Sequence, residues 1–374
     1  MFENQVLQDI LFCMFYAGVT VLSMIACCYL LFRRGNAFAP DVTPPLRLRR
    51  WTAAFFASIA LSHIWYMPLL FLSSSDDVRL CYFMGGLLDC LTAVPLAIVI
   101  LFTMLQDRRR PLWPIAVMVA PLVLFFVWQI VSGVEVHSSL MYVYLLLLSV
   151  GLIIYMVREV RHYGRWLRDN YADLEHKEVW QSFVVLTVIL LVFGLYACGF
   201  GGLAYKYLIQ VSCMVLVCYL LWRVETLSDL SIQQPLPFHM GEEAATAENE
   251  ESKALSVTPH HNIGGLLQQY CIDTQLYLQH DLTLFQLAKA IGVNRFYLSQ
   301  YFSSQGTTYN AYVNDLRIKH FVSLYREAVE TRRPFTAQLL AHESGYRSYS
   351  TFSLAFKQRM GQNVTAWMRA PRTL

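Results

Sequence analysis

The chain has 374 residues, of which 56% are hydrophobic and only 15% are charged, and its formal net charge is +3. Soluble domains are about 25% charged, so this composition argues against a wholly soluble globular protein and indicates membrane-spanning helices. The charges are unevenly placed along the sequence, which predicts two parts of different character.

Apolar stretches of membrane-spanning length fill the first two-thirds of the chain. A helix that crosses the hydrocarbon core needs roughly 20 apolar residues. Seven stretches meet this requirement, and they are Ile10–Phe32, Trp51–Leu72, Leu80–Leu105, Pro111–Val131, Ser138–Val157, Val179–Cys198 and Leu203–Trp222. The first is too long for a signal peptide, with no basic region before it and no small-residue cleavage site after it. We interpret it as a retained signal anchor.

Basic residues in the short connections predict the orientation of these spans. They follow spans one, three, five and seven, and are Arg33, Arg34, Arg47, Arg49, Arg50, Arg108, Arg109, Arg110, Arg158, Arg161, Arg165, Arg168, Lys177 and Arg223. The alternate connections carry only Arg79. Seven spans therefore predict an outside N-terminus and a cytoplasmic C-terminal part. The predicted localisation is the bacterial inner (cytoplasmic) membrane, with multiple passes through the lipid bilayer.

Three ionisable residues lie inside predicted spans, namely His63, Asp89 and Lys206. Such residues are costly in a bilayer and are functional hypotheses by default. One interpretation is an intramembrane sensing cluster, either a ligand pocket or a proton-responsive site. The other is an Asp89–Lys206 ion pair, with His63 donating to a backbone carbonyl. Pro68 and Pro95 lie in two of these spans and are expected to kink them.

The predicted outer connections are too short to hold a sensor domain. A signal must therefore be a small molecule that enters the bundle, or must come from another membrane protein. Residues 225–262 are rich in Pro, Ser, Thr and acidic residues and show little apolar periodicity, which predicts a flexible acidic linker. The predicted domains are then a seven-span transmembrane domain over 1–224, this linker, and a C-terminal domain over 263–374.

The stretch "TLFQLAKAIGVNRFYLSQYF" has the pattern of a helix-turn-helix unit. Its apolar residues recur at helical spacing in Leu284, Leu287, Ala288 and Ile291. Gly292 is predicted to end this helix, because a residue with positive φ is needed there. Asn294 is predicted to cap the next helix, Arg295–Ser303.

The same pattern repeats in "TAQLLAHESGYRSYSTFSLAFKQRMG". Ala341 precedes Gly345 by four residues, as Ala288 precedes Gly292, and Ser348 is predicted to cap the second helix of this unit. Between the units, "YNAYVNDLRIKHFVSLYREAV" predicts one long connecting helix. A leading helix, "IGGLLQQYCIDTQLYL", is predicted to pack ahead of the first unit. The predicted fold is all-α throughout, with a seven-helix transmembrane bundle followed by a small domain with two helix-turn-helix units.

Taken together, "LTLFQLAKAIGV", "YLSQYF", the "RI" of Arg317–Ile318, and "SGYRSYSTFSLAFKQRMG" followed by "NVTAWMRA" resemble the DNA-binding domain of the AraC/XylS family of transcription regulators. The resemblance covers about Ile263 to Ala370. It implies a seven-helix domain whose two recognition helices enter successive major grooves, about 34 Å apart. Phe321, Tyr346 and a shorter stretch from Phe302 to Gly306 depart from the family pattern, so sequence specificity does not transfer.

The resemblance also implies which side chains face double-stranded DNA. They are Arg295, Phe296, Ser299, Gln300, Tyr349, Ser350 and Ser353, with Leu354 near the groove and Lys357 and Arg359 suited to phosphates. Gln300 suits adenine, Arg295 suits guanine or phosphate, and the rings of Phe296 and Tyr349 suit thymine methyl groups. Leu298, Phe302, Phe352 and Phe356 are predicted core residues. From Ile263 onward, twelve basic residues stand against six acidic ones, an electrostatic footprint suited to DNA.

These features predict a membrane-integral, one-component transcription regulator, gated by a signal or partner at its membrane domain. The alternative is a transporter or channel-like membrane protein whose C-terminal domain is regulatory. A membrane enzyme is disfavoured, because the sequence holds no H-E-x-x-H, G-x-S-x-G or P-loop motif. No cofactor and no metal site are predicted, since no CxxC or Cys/His spacing suits zinc. A homodimer is a further expectation, because half-sites often pair.

Overall fold

A computed structural model describes residues 2–72, 74–132, 139–197, 203–230 and 263–369. The predicted all-α fold is confirmed. Apart from one isolated β-bridge between Tyr171 and Thr283, the described residues form helices and loops without a strand. The chain divides into two compact units. The first holds the helices up to Tyr163 and the described residues from Val179 to Leu230, and the second holds Gly164–Glu178 with the C-terminal helices.

The first unit is built from apolar helices, which are α1 (Phe2–Phe32), α2 (Leu46–Tyr66), α3 (Ser75–Leu91), α4 (Ala93–Met104), α5 (Trp113–Ser132), α6 (Ser139–Asn170), α7 (Trp180–Ala197) and α8 (Leu203–Thr226). The last turns of α6, from Gly164, belong to the second unit. Six segments are long and apolar enough to cross a membrane, counting α3 and α4 as one. In α7 the described apolar part, Trp180–Ile189, is shorter than such a span. Several apolar helices are thus compatible with a membrane domain, whereas the count of seven spans and the orientation stay predictions.

Helix α2 is the most enclosed of these six segments. It packs against α1, α4 and α8, while α3 packs against α5. In α6, by contrast, only 11% of the apolar window is buried, and side chains such as Leu146, Leu147 and Ile154 are exposed. Apolar surface of this extent is unfavourable in water. The outward faces of these helices are therefore suited to lipid.

Two prolines interrupt the helices where the sequence predicts kinks. Pro95 has no N–H to donate to the carbonyl of Leu91, and its ring crowds that carbonyl. The third predicted span is accordingly broken at Thr92, between α3 and α4. Pro68 lies in the 3-10 turn Met67–Leu70, which ends α2.

Three helix ends of the first unit meet at a buried carboxylate. Glu225 is fully buried near the end of α8, and its Oε2 lies 2.9 Å from Arg33 Nη2. The other carboxylate oxygen of Glu225 lies 3.7 Å from Arg49 Nε. Breaking such a pair leaves an uncompensated buried charge, at a cost of about 3–5 kcal/mol. The structure remains packed to Leu230, beyond the predicted start of the linker at 225. Residues 231–262 of the predicted linker lie outside the described residues.

The C-terminal helices of the second unit are α9 (Ile263–Leu267), α10 (Leu284–Ile291), α11 (Arg295–Ser304), α12 (Tyr309–Glu330), α13 (Ala337–Glu343), α14 (Tyr349–Met360) and α15 (Val364–Arg369). The predicted leading helix is shorter than its pattern suggests. It continues from α9 into a single π-helical turn, Gln268–Ile272, and the chain then forms a 3-10 turn, Leu276–Leu278. Two hydrophobic cores follow, one around α10 and α11 and the other around α13 and α14.

Candidate nucleic-acid interface

The first helix-turn-helix unit is fixed by local caps. The N–H of Thr283 donates to Gln286 Oε1 (2.8 Å), and the N–H of Gln286 donates to Thr283 Oγ1 (3.2 Å), forming a capping box at the start of α10. Gly292 ends α10 with a φ of 70°, as predicted. Asn294 caps α11 by accepting from the N–H of Phe296 at 2.8 Å, which is also as predicted.

Helix α11 divides its side chains between the core and the surface. Leu298 and Phe302 are buried, as predicted. The ring of Phe296 is 68% exposed, and Arg295 and Gln300 are also exposed, with Ser299 half-buried. Helix α11 therefore presents a large apolar ring to solvent beside an arginine and a glutamine. These three side chain types can contact thymine methyl groups, phosphates or base edges.

The second helix-turn-helix unit repeats this plan with one tighter contact. Ser348 caps α14 by accepting from the N–H of Thr351 at 3.3 Å, as predicted. Gly345 has a φ of 90°, and a Cβ placed on it would lie 2.8 Å from the backbone of Leu278. The turn of the second unit therefore requires glycine for both its backbone conformation and its close approach to the chain ahead of α10.

Helix α14 buries Phe352, Ala355 and Phe356, and Tyr349 and Leu354 lie on its exposed side. Ser350 and Lys357 are exposed as well, and Ser353 is half-buried. The predicted groove-facing positions of α14 thus share the solvent-accessible side of the helix. Tyr349, Ser350 and Ser353 are neutral, whereas the corresponding set of α11 includes Arg295.

Arg359, predicted as a phosphate contact, is ion-paired within the domain. Its guanidinium contacts the carboxylate of Asp315 on α12, and Lys319 Nζ lies 2.8 Å from the same carboxylate. Burial raises the pKa of Asp315, but the hydrogen bonds from Lys319 and Arg359 outweigh it, so the pKa lies below its usual value. Arg359 therefore has to share or exchange this partner to reach a phosphate.

The "RI" motif has a structural explanation in the connecting helix α12. Arg317 is 1% exposed, and its guanidinium donates to the carbonyls of Tyr277 and Gln279, at 2.7 Å each. It also lies over the ring of Tyr346, 5.4 Å from the ring centre. One arginine thus joins the segment before α10 to the turn of the second helix-turn-helix unit. It sets the two helix-turn-helix units in a fixed relation.

Residues 287–370 match the family model described as a helix-turn-helix domain. This part of the chain is an AraC-type helix-turn-helix domain. No curated protein and no solved structure matches the chain. The match lies within the range over which the sequence resembles the AraC/XylS family and includes both recognition helices. It supports DNA-binding transcription regulation as the activity of this domain.

Two of the departures from the family pattern, Phe321 and Tyr346, are buried inside the AraC-type domain. Phe321 is fully buried against Phe352, with ring centres 4.5 Å apart, and against Phe356 at 5.7 Å. Tyr346 is 2% exposed and covers Arg317, as described above. The larger side chains therefore add to the second core.

The sequence patterns missed one set of residues in contact with the AraC-type domain. The segment Tyr171–Lys177, between α6 and α7, packs against α10, α12 and α14 through contacts described below. Its sequence signal is weak, since Tyr171, Ala172 and Leu174 are uncharged residues in a short connection that also holds acidic and basic residues. Thr351 on α14 also lay outside the predicted DNA-facing set.

The compact unit of apolar helices α1 to α8 places two of the predicted sensing residues in polar surroundings. His63 is buried, with Nδ1 2.9 Å from the carbonyl oxygen of Ile59 and Nε2 3.1 Å from Gln210 Oε1. The hydroxyl of Tyr16 donates to the His63 carbonyl at 2.5 Å. His63 thus contacts a backbone carbonyl, as one of the two sequence interpretations expects, and contacts Gln210 in addition.

Asp89 and Lys206 do not form the expected ion pair. The Asp89 carboxyl lies beside Ser62 and Tyr66, and its Oδ1 is buried without a hydrogen-bond partner among the described residues. Lys206 is exposed near the start of α8. The ion pair fails because its partners depend on the rotation of α3 and α8, which the span pattern does not specify.

Within the described ranges no cluster of three or more His, Cys, Asp or Glu side chains could hold a metal ion.

Proposed function

We propose that the protein is a membrane-integral, one-component transcription regulator of the bacterial inner membrane, which binds promoter DNA sequence-specifically through α11 and α14. The observation that supports this most directly is the exposed face of α11. Arg295, Phe296 and Gln300 project from a helix whose opposite face is locked into the core by Leu298 and Phe302. A rigid helix with an exposed reading face is what insertion into a major groove requires.

The two recognition helices have different proposed tasks. In α11, Gln300 reads an adenine edge and Arg295 contacts a guanine or a phosphate, while Phe296 presses on a thymine methyl group. In α14, Tyr349 contacts a methyl group, Ser350 and Ser353 contact base edges or the backbone, and Lys357 and Arg359 contact phosphates. Most of the sequence specificity is therefore assigned to α11, and α14 mainly positions the domain.

The membrane domain supplies the regulation in this proposal. His63 and Gln210 are buried, Tyr16 contacts His63, and Asp89 has one buried carboxylate oxygen, all inside an apolar bundle. Buried polar groups in a bilayer are costly and are retained for a task. We assign them, with Lys206, to detection of a small molecule or a partner membrane protein.

DNA binding by the full chain tests this function. The protein in phosphatidylcholine nanodiscs is titrated against a fluorescent pool of randomised duplexes of roughly 30 base pairs, which spans two major grooves. Sequences are then selected from the pool. We expect selection of a discrete motif, and the Arg295→Ala/Gln300→Ala variant should lose about 1–3 kcal/mol for each base contact removed.

The matched control is Arg326→Ala/Gln338→Ala, which changes the same residue types on α12 and α13, outside the recognition helices. It should retain the selected motif. Equal losses in the two double variants, or selection of no motif by the wild type, would contradict the proposed function.

A further inference from the structure

The connection between α6 and α7 enters the first core of the DNA-binding domain. The N–H of Ala172 donates to the carbonyl of Leu282 at 3.1 Å, within the β-bridge between Tyr171 and Thr283. The side-chain amide of Asn310 donates to the carbonyls of Tyr171 (3.2 Å) and Ala172 (2.7 Å). Ala172 is 1% exposed and belongs to the same cluster as the buried residues of α10 and α11. These are contacts of a specific docking site rather than of a surface loop.

A charged contact fixes the far end of the same segment. Lys177 is buried, and its Nζ lies 3.0 Å from Asp281 Oδ1. The other oxygen of Asp281 lies 3.3 Å from Arg347 Nη1, just before α14. Asp281 therefore joins the docked segment to the turn of the second unit. Burial raises the pKa of Asp281, but Lys177 and Arg347 outweigh it, so the pKa lies below its usual value and the carboxylate stays charged at neutral pH.

Between these two anchors, Glu175 reaches the second recognition helix. Its Oε2 accepts a hydrogen bond from Thr351 Oγ1 at 3.1 Å. Its backbone N–H donates to Asp173 Oδ1 at 3.1 Å, which orders the turn. Thr351 lies in the first turn of α14, between the predicted DNA contacts Ser350 and Ser353. The docked segment thus holds a carboxylate beside the positions that would approach the phosphate backbone.

Placing a carboxylate there opposes DNA binding, because DNA is densely charged and gains affinity when a protein neutralises its phosphates. The first recognition helix carries no equivalent acid, since Arg295 and Gln300 form no ion pair or hydrogen bond within the described residues. The segment is also covalently continuous with α6 and α7, both apolar helices of the membrane domain. A movement of either helix would pull directly on the docked residues.

We propose that Tyr171–Lys177 is an autoinhibitory clamp, which docks on the DNA-binding domain and holds Glu175 against α14 until α6 or α7 moves. In the clamped state α11 is free to sample DNA, whereas α14 cannot engage fully. Release of the clamp removes the carboxylate and completes the two-helix interface. This inference rests on the proposed function and adds the route by which the membrane domain controls it.

The variant Glu175→Gln separates charge from docking, because glutamine still accepts a hydrogen bond from Thr351. The full chain in phosphatidylcholine nanodiscs is titrated with the randomised duplex pool at about 50 mM and about 300 mM salt. At low salt we expect Glu175→Gln to bind roughly threefold to tenfold more tightly than the wild type, and less so at high salt. Glu330→Gln, which removes an exposed carboxylate from the end of α12, is the charge-matched control and should match the wild type.

Docking itself is measured by hydrogen exchange at the Ala172 N–H, which is bonded to Leu282. We expect protection in the wild type and in Glu175→Gln, and faster exchange together with tighter DNA binding in Asn310→Ala. Equal affinities for Glu175→Gln and Glu330→Gln, or an unprotected Ala172 in the wild type, would overturn the clamp. In that event, continued loss of binding in Arg295→Ala/Gln300→Ala would leave the proposed function standing. Absence of DNA binding in every variant would overturn both.

Discussion

The first recognition helix, α11, leaves Arg295, Phe296 and Gln300 exposed, whereas two polar side chains of α14 bind groups from other parts of the protein. Thr351 binds Glu175 from the connection between two apolar helices, and Arg359 binds Asp315 on α12. The two helices share the same local plan of a glycine turn and a polar N-cap. Their difference shows that a repeated local plan does not imply equal surroundings. Under the proposed clamp, the second helix-turn-helix unit is the one placed under control.

The largest expected effect is on the link that Arg317 makes between the two helix-turn-helix units. Arg317→Met keeps most of the buried volume but leaves the carbonyls of Tyr277 and Gln279 without their donor. Each buried unsatisfied group costs about 1–3 kcal/mol, so we expect the two carbonyls together to lower the local free energy of unfolding by about 2–6 kcal/mol. Hydrogen exchange of peptides from α10 and α14 should rise together, with peptides from α2 as the internal control. A rise confined to one unit would show that Arg317 does not join them.

A second, smaller effect separates the two turns. Gly345→Ala meets both a positive φ and the backbone of Leu278, whereas Gly292→Ala meets a positive φ alone with open space around it. We expect Gly292→Ala to lower the local free energy of unfolding by about 1–2 kcal/mol, because alanine is strained at positive φ. The loss at Gly345 should be clearly larger. Exchange rates of the α10 and α14 amides measure the two losses. Equal losses would mean that the close approach at Leu278 relaxes without cost.

The turns and caps were predictable because they are local. Gly292, Asn294 and Ser348 lie within a few residues of the helices they end or begin, so spacing alone identifies them. The docking of Ala172 on Leu282 was not predictable, since a β-bridge between distant segments leaves no periodic pattern in either. The burial of Glu225 with Arg33 was missed for a related reason. Basic residues near a membrane predict orientation, but their ion-pair partners depend on how the helices pack.

The smallest expected effect concerns the charged anchor of the clamp. The pKa of Asp281 is lower in the docked protein than in the unfolded chain, where it is about 3.9. The Asp281 carboxylate therefore stabilises docking fully above that unfolded pKa, and this stabilisation is lost as the pH falls through the lower pKa of the docked state. We expect protection at Ala172, corrected for intrinsic exchange, to be constant from about pH 8 to about pH 5 and to fall below about pH 4. Asp281→Asn should lower the free energy of docking by about 1 kcal/mol at neutral pH. At a pH low enough to protonate Asp281 in the docked protein, the substitution should have no effect. A step near neutral pH would point to a different group.

The central claim, that a membrane-integral chain regulates genes by binding DNA with both units, is tested most directly in cells. The intact protein is crosslinked and immunoprecipitated, and its genomic occupancy is compared with that of Arg295→Ala/Gln300→Ala at equal membrane abundance. The account predicts discrete promoter peaks for the wild type, their loss in this variant, and stronger peaks in Glu175→Gln. Peaks that persist in the double variant, or no peaks in either the wild type or Glu175→Gln, would contradict it and favour the transporter-like alternative.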